Sequence, residues 1–197
     1  MLQRTTIAFF GRTNAGKSLL VNAVTNQETS IVSQIKGTTT DPVKKVMEIL
    51  PLGPVTIIDT PGLDDDSELG KKRIEKAEII LNQTQIAVLV ADSSFFLQGE
   101  NPLGDYEKKL IKIFEERKIP YLKVFNKCDL LDKVPDLEDK EKSLFVSALK
   151  KDNVNQLKER LAAIKGTFSE KKFIAADLVK KGDAVLLVIP IDESAPK

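Results

Sequence analysis

The sequence predicts an α/β fold, a six-stranded, mostly parallel sheet with helices on both faces. Three observations predict it. Short β-branched or aromatic runs alternate with stretches whose apolar residues recur at helical spacing. A glycine-rich turn lies between the first such run and the first such stretch. At about 150 residues per domain, a chain of 197 residues with 42% apolar content holds one full domain with its own core and an appendage.

The first strand is Thr5 to Phe10, ending at Gly11, and a helix follows from Lys17 to about Thr25. Val43 to Leu50 and Val55 to Asp59 are strands separated by Pro51, Gly53 and Pro54, the residues of a hairpin-like turn. Between Gly70 and Asn82, Ile74, Ala77 and Leu81 recur on one helical face. Ile86 to Ala91 is a buried strand. Leu103, Tyr106, Leu110, Ile113 and Phe114 form the stripe of a helix stopped before Pro120, and the strand Tyr121 to Phe125 follows. Ser143 to Val146 is the sixth strand. Val154, Leu157, Leu161 and Ile164 make a last amphipathic helix, with Gly166 as its stop. These elements place one domain over residues 1–167 and a linker with the start of a second module over 168–197, where Ala184 to Ile191 is a lone strand that either adds to the main sheet's edge or, the reading favoured because six strands already complete a sheet, begins that module.

Composition excludes whole classes of chemistry. With no His and with Cys128 alone, the chain holds no imidazole base, no His-containing zinc site, no intrachain disulfide and no iron-sulfur cluster of its own. The longest apolar runs, Ile86 to Ala91 and Ala184 to Ile189, are far short of the roughly 18 residues that span a bilayer. The expectation is a cytoplasmic chain without a membrane partner. Thirty Lys and Arg against 29 Asp and Glu leave a net charge of +1, without the basic excess that nucleic-acid binding uses.

Gly11-Arg12-Thr13-Asn14-Ala15-Gly16-Lys17-Ser18 has the spacing G-x-x-x-x-G-K-S, after a strand and before a helix. Glycines let such a loop wrap phosphates, its amides and the helix N-terminus point at the anion, Lys17 reaches the β and γ oxygens, and Ser18 ligates magnesium. The expected contact set extends to Leu19 in the first helical turn. Asp59-Thr60-Pro61-Gly62 ends a strand, where Asp59 holds the magnesium shell and Gly62 offers its amide to a γ-phosphate. Asn126-Lys127-Cys128-Asp129 also ends a strand. A carboxylate such as Asp129 only accepts hydrogen bonds, so it pairs with the two donors that guanine presents at N1 and N2. The nucleotide is therefore GTP or GDP. Ser147-Ala148-Leu149 reads either as backbone amides facing the guanine oxygen or as a plain strand end. Cys128 reads as a packed thiol beside the base. Gly37-Thr38-Thr39-Thr40-Asp41 is either a polar loop or a switch whose hydroxyl completes the magnesium shell.

These motifs in this order resemble the Ras-like P-loop GTPases, and within them the TrmE, Era and EngA group, over about residues 5–166. The resemblance implies that Asn14 binds a potassium ion, that Thr38 and Thr39 belong to the switch with Thr39 on magnesium, and that Asp65 orients the attacking water, because Leu63 cannot. Asp64, Asp65 and Asp66 read equally as a solvated acidic loop. Thr40 departs from the group's Arg. The resemblance implies slow intrinsic hydrolysis stimulated by potassium, with Lys17, Asn14 and Asp65 as the catalytic set.

Residues 38–43, 47–55, 59–65 and the tail 185–197 look like the GTPase domain, and the first residues of the dimerisation domain, of the HydF family of FeFe-hydrogenase maturation proteins. That implies a scaffold or carrier that is a homodimer at full length, with other maturation proteins and the apo-hydrogenase as partners. An RNA-directed GTPase of tRNA modification or ribosome assembly is the alternative.

Overall fold

The computed structural model describes residues 4–25, 33–35, 43–60, 78–137 and 139–169. In chain order these form β1 (Thr5–Phe10), α1 (Lys17–Thr25), β2 (Ser33–Ile35), β3 (Val43–Ile49), β4 (Gly53–Asp59), β5 (Ile86–Asp92), α2 (Asp105–Glu116), β6 (Tyr121–Asn126), β7 (Ser143–Val146) and α3 (Val154–Ser169). Residues 78–83 are also helical. Among the described residues no helix is long and apolar enough to cross a membrane.

The strands form one sheet in the order β2-β3-β4-β1-β5-β6-β7. β4, β1, β5, β6 and β7 run parallel; at one edge β3 pairs antiparallel to β4, and β2 pairs antiparallel to β3. All six strands expected from the sequence are present. The seventh, β2, is not expected from the sequence, because three residues are too few to show a period of two. It pairs with Lys44 to Val46 of β3. A second difference is at the C-terminal helix: α3 runs past Gly166 to Ser169, so Gly166 is helical rather than the stop. Helix interiors tolerate a glycine at a cost of roughly 1 kcal/mol, and the turn here is reinforced by Thr167 Oγ1 donating to the Ile164 carbonyl.

Alternation along β1 shows how the layers are built. Ile7 and Phe9 face one side, where α1 and α3 add Leu20, Val21, Val24, Leu157 and Leu161. Ala8 and Phe10 face the other, where α2 adds Leu110 and Phe114 and the helical residues 78–83 add Ile80 and Leu81. Helices on both faces make the central strands apolar throughout, and Ile86 to Ala91 are all buried. The Glu107 side chain accepts from the Gly104 amide and so caps the first turn of α2. Beyond α2, Lys118 turns the chain at φ 54° and Ile119 donates to the Phe114 carbonyl.

This layering brings the C-terminal ends of β1, β4, β6 and β7 to one edge, where an open α/β sheet places its ligand. Gly11, Asp59, Asn126 and Ser147 all stand at that edge.

Candidate functional site

The turn from β1 into α1 is fixed by sterics at two glycines. Gly11 sits at φ 146° and a Cβ there would collide with the Val90 carbonyl. Gly16 sits at φ 86° and a Cβ would strike the Asn126 amide. Between them Asn14 takes φ 63° with its side chain exposed, as is that of Thr13. The loop closes through Ala15 N donating to Arg12 O at 3.3 Å, and Leu20 N donating to Gly16 O at 2.8 Å starts α1.

Lys17 is 6% exposed, and its ammonium donates to Gly11 O at 2.9 Å and Arg12 O at 2.7 Å. The loop's own carbonyls thus hold the cation inside its curve. Ser18 and Leu19 follow, both exposed in the first turn of α1. Asp59, at the end of β4, has Oδ1 buried without a hydrogen-bond partner among the described residues. A buried carboxylate oxygen left open is what a hard divalent cation takes up. Together with the exposed Ser18 hydroxyl it fits magnesium. Next to it, Thr60 Oγ1 donates to Phe9 O at 2.7 Å and clamps the end of β4 to β1.

Asn126, 1% exposed, joins the two halves of the site. Its Nδ2 donates to Ala15 O at 2.9 Å, and its Oδ1 accepts from Ala148 N at 3.0 Å. Ser93 Oγ donates to its carbonyl at 2.5 Å. Ser147, fully buried, accepts from Lys150 N at 3.0 Å and donates its own amide to Asp152 O at 3.1 Å. Of the three amides read as facing guanine, Leu149 N alone keeps no hydrogen bond among the described residues. Asp129 lies in a short 3-10 turn, Cys128–Leu130, half-buried and without a hydrogen bond or ion pair among the described residues. Its carboxylate is free to accept.

Lys127 takes φ 66° and its ammonium meets Asp92 Oδ2 at 2.5 Å. Burial raises the Asp92 carboxyl, but hydrogen bonds from Lys127 and Ser94 outweigh that and hold it below its usual range. Burial, and then the carboxylates of Asp152 and Asp129, push the Cys128 thiol up. Cys128 packs with Ala91, Phe125 and Phe145, which is the packed thiol expected from the sequence. The loop, Asp59, Asn126, Lys127, Asp129 and the Ser147 segment are all placed at the expected edge. Thr38, Thr39, Gly62 and Asp65 lie outside the described residues. Sequence reasoning missed Asp92, Ser93 and Glu107, each of which holds a motif residue from a distant part of the chain. A cleft of about 570 Å³ between Phe114, Tyr121 and Arg160 opens at the start of β6, away from every one of these residues.

A phosphate loop feeding α1, an open carboxylate at the end of β4 and a guanine-matching Asp beyond β6 define a P-loop guanine-nucleotide-binding domain of Ras-like fold. The chain belongs to the family described as 50S ribosome-binding GTPase, whose model matches residues 6–127, more than half of its length. It is 32% identical over 183 residues to GTPase Der of Mycoplasmopsis pulmonis, covering 84% of this chain and 40% of that protein. It is also 32% identical over 191 residues to the tRNA modification GTPase MnmE of Coxiella burnetii, covering 92% of this chain and 41% of that protein. Among solved structures, Aquifex aeolicus Era bound to GDP and aluminium fluoride superposes with a TM-score of 0.65 at 22% identity, over 83% of this chain and 57% of that one. The G domain of the T. maritima iron transporter FeoB gives 0.58 at 23% identity, over 83% and 99%. The chain thus spans about two fifths of the length of these curated relatives, and it is a GTPase domain of the TrmE, Era and Der type. None of these relatives is named for hydrogenase maturation.

The Asp92 pair makes a pH prediction. Because the folded carboxyl titrates below its unfolded value of about 3.9, its contribution is complete above that pH and is lost as pH falls through the folded value. An Asp92→Asn chain is therefore expected to lose less stability than the wild type on acidification below about pH 4. Urea midpoints measured between pH 3 and 7 test this, and parallel acid limbs for the two proteins would refute it.

Proposed function

We propose that the chain binds and hydrolyses GTP and acts as the nucleotide-dependent switch domain of a longer protein. The observation that carries this reading is the Asn126 bridge, which fixes the phosphate loop and the guanine-facing segment as one rigid unit. Loop amides and Lys17 take the phosphates. Lys17 exchanges its two carbonyl partners for phosphate oxygens and neutralises charge as it builds on the leaving group. Ser18 and Asp59, with Thr39 from the switch, would hold magnesium, which would supply charge neutralisation at the phosphates. Leu63 has no group to orient water, and the resemblance to the TrmE group assigns that role to Asp65. Catalysis is then mainly positioning and charge, and it needs no imidazole.

Asn14 is the proposed potassium ligand, and its exposed side chain at the crest of the loop supports that assignment. What the switch drives has two readings. The relatives named for tRNA modification and the ribosome-binding family description support an RNA-directed role. The resemblance of residues 38–43, 47–55, 59–65 and 185–197 to the HydF family, and the near-neutral charge, support a scaffold or carrier in hydrogenase maturation, homodimeric at full length and cytoplasmic, working with other maturation proteins and the apo-hydrogenase. Retention of the protein on tRNA at moderate salt favours the first. Release of tRNA, together with a Cys and His cluster encoded downstream, favours the second.

Asp129→Asn removes a charged acceptor facing two donors, at about 1.5 kcal/mol or more each, so GDP affinity is expected to fall on the order of 100-fold. Calorimetric titration measures it, and an unchanged Kd would remove the guanine assignment. GTP turnover is expected to be slow and faster in potassium than in sodium, with the difference lost in Asn14→Ala. Equal rates in the two salts would remove the potassium role.

A further inference from the structure

We propose that Glu107 is a positioning residue for the nucleotide phosphates, acting through Arg12 of the phosphate loop. This rests on the GTP-binding reading above. Arg12 is the second residue of the loop, and its carbonyl is one of the two that hold the Lys17 ammonium, at 2.7 Å. Its side chain leaves the loop for α2, where Nε lies 3.1 Å from Glu107 Oε1. The approach misses hydrogen-bond alignment, so the contact is a charge pair. The Glu107 side chain is 1% exposed and that of Arg12 39%. The second carboxylate oxygen, Oε2, accepts from Gly104 N at 3.0 Å. A Cβ at Gly104 would meet the end of the Arg12 guanidinium, so the glycine leaves that side chain its room beside Glu107.

One buried carboxylate therefore ties the start of the phosphate loop to the start of α2. A negative charge removed from water beside a phosphate site repels the incoming anion unless a cation stands between them. Arg12 is that cation. It neutralises Glu107, and the same contact sets where the Arg12 carbonyl, and so the resting Lys17, lies. A brace with no influence on the ligand would change stability and leave the affinity of the folded protein alone. A positioning role changes affinity for the phosphates and not for the base.

The test is a double-mutant cycle in the whole chain with Arg12→Met, Glu107→Gln and the pair, reading Kd for GDP and for guanosine alongside urea midpoints. Arg12→Met leaves the buried carboxylate uncompensated and is expected to weaken GDP by roughly ten-fold or more, with guanosine unchanged. Adding Glu107→Gln removes the stray charge and is expected to restore most of that loss. Arg12→Lys, which keeps the charge and tolerates folding better, is expected to hold GDP within about three-fold of wild type. Additive losses in the pair, equal losses for GDP and guanosine, a fall in urea midpoint with GDP affinity intact, or an Arg12→Lys loss as large as that of Arg12→Met would each overturn the proposal. Failure of the wild type to bind GDP would instead overturn the GTP reading.

Discussion

Two hydrogen bonds from the Asn126 side chain hold the site together. One reaches the Ala15 carbonyl inside the phosphate loop and the other receives the Ala148 amide beyond β7. The residues joined are 111 and 22 positions away in sequence. Each bond is worth about 1 kcal/mol net, while stranding the buried partners costs about 1–3 kcal/mol apiece. The asymmetry means that the bridge is either complete or strongly unfavourable. Gly16 has to be a glycine for the same reason, since any side chain there would occupy the place of the Asn126 amide.

Around that bridge the charges come as linked pairs. Lys127 meets Asp92 on the base side. Arg12 meets Glu107 on the phosphate side. Each pair joins a motif residue to an element that carries no motif, the end of β5 in one instance and the start of α2 in the other. The motif loops are thereby held by the sheet and its helices rather than by their own backbone alone. Asp59 and Asp129 stand outside these pairs, Asp59 with an oxygen left open where the chemistry wants a cation and Asp129 with a carboxylate open toward the base.

The local parts of the site were legible in the sequence because their requirements are local. A phosphate loop needs glycines and a lysine at fixed offsets between a strand and a helix, and Gly11 to Ser18 displays them in eight consecutive residues. The six longer strands announce themselves by β-branched runs, whereas β2 has three residues and no run to see. Gly166 was misleading because glycine marks a helix end only when its backbone turns left-handed, and here it stays helical. Glu107 and Asp92 were invisible for another reason. A Glu on a charged helix and an Asp at a strand end look like solvated residues until the fold brings a cation to each, from 95 residues away for Glu107 and 35 for Asp92.

Lys17, held by the carbonyls of Gly11 and Arg12, bears on how a nucleotide leaves. A buried ammonium abandoned by a departing phosphate would be stranded in a poorly solvated hollow, and that penalty would slow escape. This loop carries replacement acceptors within reach, so the cation is recaptured as the anion departs. The same carbonyls compete with the next phosphate to arrive. Loading a phosphate here therefore includes moving a lysine from one set of oxygens to another.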